Sequence, residues 1–150
     1  MIGEIGNFKM KKLLLILLCL PMIGFGQFTY VPDDNFEQAL INLGYDTFLD
    51  DNVFTASIDT VTYLNIDNQG IADLTGIADF TSLATLSCNN NQLSSLVVLN
   101  PSLLNLSCNN NQMLNLDVST NGVNGSLISI DCSFNQLTSL LVNNNINLNY

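Results

Sequence analysis

The chain has 150 residues, enough for one modest domain, and a formal net charge of -10 at pH 7. Its three cationic residues, Lys9, Lys11 and Lys12, all precede residue 13, and histidine is absent. Phosphate backbones and anionic membrane surfaces are therefore excluded as partners. Lysine Schiff bases, histidine bases and cationic oxyanion clamps are excluded as catalytic devices.

Met10-Lys11-Lys12 followed by the apolar run Leu13 to Leu20 has the charged start and hydrophobic stretch of a secretory signal. Pro21 breaks that run, and Gly24 and Gly26 supply small residues for cleavage after Gly26. The run is short for a bilayer span, so a membrane anchor is the weaker reading. A lipoprotein reading through Cys19 is weakened by the bulky Leu18 before it. The nine residues ahead of Met10 read as an upstream over-called start. We thus divide the chain into an extension and signal peptide (1–26), an N-terminal cap (27–60) and repeats (61–150).

In the cap, Gln27 to Val31 reads as a short strand. Pro32-Asp33-Asp34 then opens a helix to about Leu43, with an acidic N-cap and an apolar face of Phe36, Ala39, Leu40 and Leu43. Gly44 stops it. Such a helix covers the apolar side chains of a first coil. Asp46, Asp50, Asp51 and Asn52 crowd the next turn. Their oxygens suit either calcium or a solvated acidic turn, and the spacing, which matches no EF-hand loop, favours the solvated turn. The alternation around Val53, Phe54, Ala56 and Ile58 is compatible with a strand beside the first coil.

From residue 61 the chain repeats. Cys88-Asn89-Asn90-Asn91-Gln92-Leu93 recurs as Cys108-Asn109-Asn110-Asn111-Gln112-Met113 and, more loosely, as Cys132-Ser133-Phe134-Asn135-Gln136-Leu137. With the upstream leucines, the pattern is L-x-x-L-x-C-x-x-N-x-L, the strand-and-turn signature of a leucine-rich repeat. Coils begin at Val61, Leu83, Leu103, Leu127 and Leu148. The expected fold is an α/β leucine-rich-repeat solenoid: a cap helix, then four to five parallel-strand coils. Positions 1, 4 and 6 of each coil point inward, so Cys88, Cys108 and Cys132 stack as buried free thiols. Their side chains run parallel, which disfavours a disulfide, and a line of sulfurs is not a tetrahedral metal site. At position 9, Gln69, Asn91, Asn111 and Asn135 form an amide ladder that bonds the turn backbone and the next coil's amide. The backs of the coils are period-three in the first (Ile71, Leu74, Ile77, Phe80) and extended later. Thr120 to Gly125, with two Asn-Gly turns, should bulge from the rim. An uncovered last coil leads us to expect further coils beyond Tyr150.

Positions 3, 5 and 7 face the concave side and form the candidate binding surface. They are Tyr63, Asn65 and Asp67; Thr85, Ser87 and Asn89; Asn105, Ser107 and Asn109; Ser129, Asp131 and Ser133. Position 8 adds Asn68, Asn90, Asn110 and Phe134 at the rim. This surface offers hydrogen bonds and one stacking ring, Tyr63. Asp67 and Asp131 lie three strands apart, roughly 14 Å, too far for a glycosidase pair. We expect no enzyme, no cofactor and no metal. The favoured function is recognition or adhesion with a protein or glycan ligand, and the alternative is a spacer in a larger surface protein.

Val31-Pro32-Asp33-Asp34-Asn35-Phe36-Glu37-Gln38-Ala39-Leu40-Ile41, the C-x-x-N-Q-L coils and Gly70-Ile71-Ala72-Asp73-Leu74-Thr75-Gly76-Ile77 resemble the secreted leucine-rich-repeat surface proteins of type IX-secreting Gram-negative bacteria, and internalin-like repeats generally. The resemblance covers Gln27 to Tyr150. It implies secretion or surface display, a role in recognition or adhesion, and no catalytic residues. It also implies a C-terminal sorting domain, which the sequence as given does not carry.

Overall fold

A computed structural model describes residues 26–119, 127–143, 145, 147 and 148. The expected signal segment up to residue 25 and the expected Thr120–Gly125 bulge lie outside the described residues.

The repeat period becomes a parallel sheet. Strands β3 (Tyr63–Asn65), β4 (Thr85–Ser87), β5 (Asn105–Ser107) and β7 (Ser129–Asp131) pair side by side in that order, giving three full turns from first to last. The register is set by the inward position 4, with Leu64, Leu86, Leu106 and Ile130 opposite one another. A slip of one residue would turn every leucine outward, so burial itself holds the register. Positions 1, 4, 6 and 11 of the first three coils are all buried, from Val61 to Met113. In the fourth coil Leu127 is buried, while Ile130, Cys132 and Leu137 are only partly so.

The backs of the coils differ. The first coil makes a 3₁₀ turn at Ile77–Asp79, entered through Gly76 at φ +100°. The described backs of the later coils run extended, as expected. Strand β6 (Asn115–Asp117) pairs in parallel with β8 (Ser139–Leu141), and Val97 bridges to Asp117.

In the cap, β1 (Phe28–Tyr30) pairs antiparallel with β2 (Asn52–Phe54). This corrects the expected strand over Val53 to Ile58. It pairs with the N-terminal lead and not with the first coil, and it ends at Phe54, after which Thr55–Ile58 form the short helix α2. Helix α1 (Asp34–Asn42) carries Phe36, Ala39 and Leu40 into the core, where Phe36 stacks on Phe80 of the first coil at 6.4 Å between ring centres. The Asp33 side chain caps it, accepting from the amides of Asn35 and Phe36. A Schellman closure ends it: Gly44 at φ +83° donates to Ile41 and Tyr45 donates to Leu40. Leu43, expected on the apolar face, is instead the exposed C-cap, because the chain turns away before a further helical turn could bring it inward. Tyr45 packs against the core in its place.

Asp33 also joins cap to coils. Its Oδ1 caps the helix, while its Oδ2 accepts from the amides of Ala72 and Asp73 in the first coil at 2.8 and 3.0 Å. Charge-assisted bonds of this kind are about twice as strong as neutral ones. One carboxylate thus fixes the helix against the solenoid.

Candidate functional site: the concave sheet and its two side-chain ladders

The outward residues of β3, β4, β5 and β7 share one face, and the in-register pairing puts equivalent positions next to each other. Tyr63 lies opposite Thr85, then Asn105, then Ser129; Asn65 lies opposite Ser87, then Ser107, then Asp131. Asp67, Asn89, Asn109 and Ser133 follow just beyond the strand ends.

These polar groups are not free to receive a ligand. The Asp67 carboxylate accepts from Ser87 Oγ at 2.8 Å and from the Asn89 amide at 2.7 Å. One coil on, Asn89 Oδ1 accepts from Ser107 Oγ and from the Asn109 amide, both at 2.9 Å. Asn109 Nδ2 in turn donates to Asp131 at 2.8 Å, and Asp131 accepts the Ser133 hydroxyl at 2.7 Å. Asn65 is spent on the amide of Asp67, and Asn105 reaches Thr85 Oγ1 at 3.4 Å. The middle of the sheet, expected to offer hydrogen bonds to a ligand, is a relay in which position 7 of the first two coils accepts from positions 5 and 7 of the next, and position 7 of the third donates to position 5 of the fourth. The Ser133 hydroxyl, then the Asn109 amide and the Ser133 N–H, hold the Asp131 carboxyl below the ordinary carboxylate range.

What remains open lies at the two ends of the sheet. Tyr63 is 58% exposed. Phe134, at the rim of the last coil, is 83% exposed and sits at φ +52°. Asn68, Asn90 and Asn110 occupy the same left-handed slot at φ +60°, +55° and +53°. Asparagine tolerates that conformation, whereas a bulky aromatic there is a true outlier.

The inner ladder is structural. Asn91 Nδ2 donates to the carbonyls of Ile66 and Cys88, and its Oδ1 accepts from Gln69 and Ile71. Asn111 donates to Cys88 and Cys108 and accepts from Leu93. Asn135 donates to Cys108 and Cys132 and accepts from Met113. Two expectations are corrected here. The amides bond to the preceding coil's backbone and not to one another. Gln69 is exposed and reaches only the carbonyl of Asp67, because its extra methylene carries the amide out of the turn. A second buried pair, Asn100 and Asn145, does similar work on the opposite side and was not foreseen. Asn100 bonds Ile77 and Phe80, and Asn145 bonds Val118 and Val142. Neither lies within the C-x-x-N motif, so only its unusual burial identifies it.

The sulfurs are free thiols. Cys88 and Cys108 are fully buried, whereas Cys132, expected to be buried too, is only partly covered because it follows β7, the edge strand of the sheet among the described residues. Burial, with the Asp67 carboxylate behind it, pushes the Cys88 thiol up to about 12. Burial also raises Cys108, helped by Cys88, Cys132 and Asp131. Cys132 is raised by burial and Asp131. The fully buried Cys88 and Cys108 stay protonated and unreactive at neutral pH. In the acidic turn, buried Glu37 accepts from the amides of Asp50 and Asn52 through Oε1, a wrap the sequence did not reveal. Among the described residues no three histidine, cysteine or carboxylate side chains converge as a metal site would require, and no helix is long and apolar enough to cross a membrane.

No family model and no curated protein matches the chain. Among solved structures it is similar to the functional domain of InlJ from Listeria monocytogenes, described as including a cysteine ladder. The TM-score is 0.71 and the identity 32%, over 83% of this chain and 28% of that one, so the chain spans less than a third of that relative's length. The stacked Cys88, Cys108 and Cys132, the in-register strands and this likeness together make the chain an internalin-like leucine-rich-repeat solenoid.

Proposed function

We propose that the chain is a non-enzymatic recognition or adhesion module of an exported protein, and that it binds a protein or glycan surface across the concave sheet through the two aromatic side chains at its ends. The observation that carries this reading is Phe134. A left-handed backbone costs an ordinary L-residue roughly 1–2 kcal/mol, and an exposed ring recovers little of that by packing. Strain held at an exposed aromatic points to use at the surface. Tyr63 lies three strand spacings away across the sheet, roughly 14 Å, and five positions back along it, and offers a second ring of the kind that anchors interfaces. Lys11, Lys12 and the apolar run after them support export, and the family resemblance supports surface display in a Gram-negative, type IX-secreting cell. The saturated relay between the rings favours the alternative of a spacer without a ligand of its own.

One pair of variants separates the two readings. Phe134→Asn restores the residue that the equivalent slots carry, so it should raise stability by about 1 kcal/mol. If the module reading holds, protein-coated beads of this variant and of Tyr63→Ser lose adhesion to the matrix proteins or glycans that the wild type binds in an array. Unchanged adhesion in both variants would reject the module reading and leave the spacer.

A further inference from the structure

Around the back of the solenoid, neighbouring coils are joined by backbone hydrogen bonds. Gln112 donates to Leu93, Gln136 to Met113 and Thr138 to Leu114, and the β6–β8 ladder and the Val97–Asp117 bridge continue this seam. Between the first and second coils the seam opens. Gln92 donates to Ile71 at its upper end, and Asn100 donates to Ile77 and Phe80 at its lower end. Among the described residues no hydrogen bond joins 72–76 to 94–99. The cause is the 3₁₀ turn, which is drawn towards the cap: a Cβ at Gly76 would lie 2.7 Å from the Tyr30 carbonyl. A groove of about 290 Å³ fills the gap, between Asp73, Thr75 and Ile77 on one side and Ser95, Val97 and Leu99 on the other.

One wall of this groove is an unpaired strand edge. Val118 donates to Leu141, so residues 116 and 118 turn their backbone groups toward β8. Alternate residues of a strand face opposite sides, so Asp117 turns its own toward the second coil. The bridge to Val97 then runs from Asp117 to residues 96 and 98, and the N–H and carbonyl of Val97 itself face the groove. The Val97 and Leu99 side chains are 65% and 52% exposed.

We propose that this edge binds an extended, cationic peptide segment of a partner protein as an added strand. Only an extended chain matches a donor and acceptor on one strand edge, which is the mode of β-augmentation. Valine and leucine beside the edge suit apolar side chains on the incoming segment. Asp73 lines the groove and Asp117 stands on the neighbouring strand, while the chain carries no cation beyond Lys12. Lysine or arginine on the partner is therefore attracted, and a second copy of this chain, which carries a net charge of -10 and no cation after Lys12, is repelled.

The test uses an acetylated heptapeptide of alternating valine and threonine with a lysine at each end, and the same peptide with glutamates. In the free protein the Val97 amide should exchange with solvent as an open edge. The lysine peptide should slow that exchange by about tenfold or more, and the glutamate peptide should not. Val97→Pro removes the donor that faces the groove, and Val97→Lys keeps the backbone but repels the peptide. Each should lose the peptide at an unchanged melting temperature, and Val97→Lys alone decides if the proline variant fails to fold. A Val97 amide already protected in the free protein, equal binding of both peptides, or full binding by Val97→Lys would overturn the proposal. Phe134→Asn should leave peptide binding intact, so this site stands or falls separately from the concave face.

Discussion

Replacing Asn111 with alanine tests the view that the inner amide ladder holds the coils together. Asn111 is 7% exposed, donates to the carbonyls of Cys88 and Cys108 at 3.0 and 3.1 Å, and accepts from the Leu93 amide at 3.0 Å. Each carbonyl has a second donor, from Asn91 and Asn135 respectively, so neither is left bare. The Leu93 amide has no such reserve. One orphaned buried N–H costs about 1–3 kcal/mol and two lost bonds about 1 kcal/mol each, giving a loss of about 3–5 kcal/mol. That is a large share of the roughly 5–15 kcal/mol that keeps a domain folded. Urea titration followed by circular dichroism measures it. Asn135→Ala, in a half-buried site where water can substitute, should cost about half as much. Asn111→Asp should be worse than alanine at neutral pH, because it turns a carboxylate toward two carbonyls, and should recover as acid protonates it. A cost below about 1 kcal/mol for Asn111→Ala, or one equal to that of exposed Asn90→Ala, would refute the reasoning.

The thiols should react in the order of their exposure: Cys132 with a disulfide reagent in the native state, Cys88 and Cys108 only on unfolding. The raised Cys88 thiol also sets a sign: its stabilisation is complete below about pH 8.5 and falls as pH climbs toward 12, so a thermal midpoint that holds steady through that range would contradict it. Gly76→Ala must push against the Tyr30 carbonyl and should cost several-fold more than Gly44→Ala, which meets only open space at a similar φ; equal melting temperatures would count against the close approach. The lowered Asp131 carboxyl contributes stability above the unfolded carboxylate range, near pH 4, that is lost as pH falls through its folded value. Asp131→Asn should therefore flatten the acid side of the stability profile, and an unchanged slope would rule that contribution out.

The parts of the fold legible in the sequence are those that depend on spacing. Leu64, Leu86 and Leu106 recur because one face of each strand is buried, and Asp33 with Gly44 brackets the helix through local capping chemistry. What stayed hidden depends on contacts between distant segments. Glu37 reads as an ordinary solvent-facing helix residue, and its burial follows only from the 50–52 turn folding over it. Asn100 lies in an irregular stretch with no motif around it. Gln69 looks interchangeable with asparagine, yet one methylene puts it on the surface. The concave residues occupy the face that their alternation implies, but alternation does not reveal that Asp67, Asn89 and Asn109 bond to their neighbours in the next coil. Phe134 stands out only when compared with the asparagines in the equivalent slots.

The Asn91, Asn111 and Asn135 amides all reach backward to the coil before them, and this bears on how such a gene changes length. Thr85 and Asn105 stand in the same register, so excising the stretch from Leu83 to Ser102 removes one whole coil. Asn111 would then meet the Ile66 carbonyl that Asn91 meets now, and Cys108 would follow Ile66 in the stack. Duplication of the same stretch is equally harmless at both junctions. Recombination in whole coils can therefore lengthen or shorten the solenoid without a compensating mutation, whereas an insertion of any other length must be looped out at the rim.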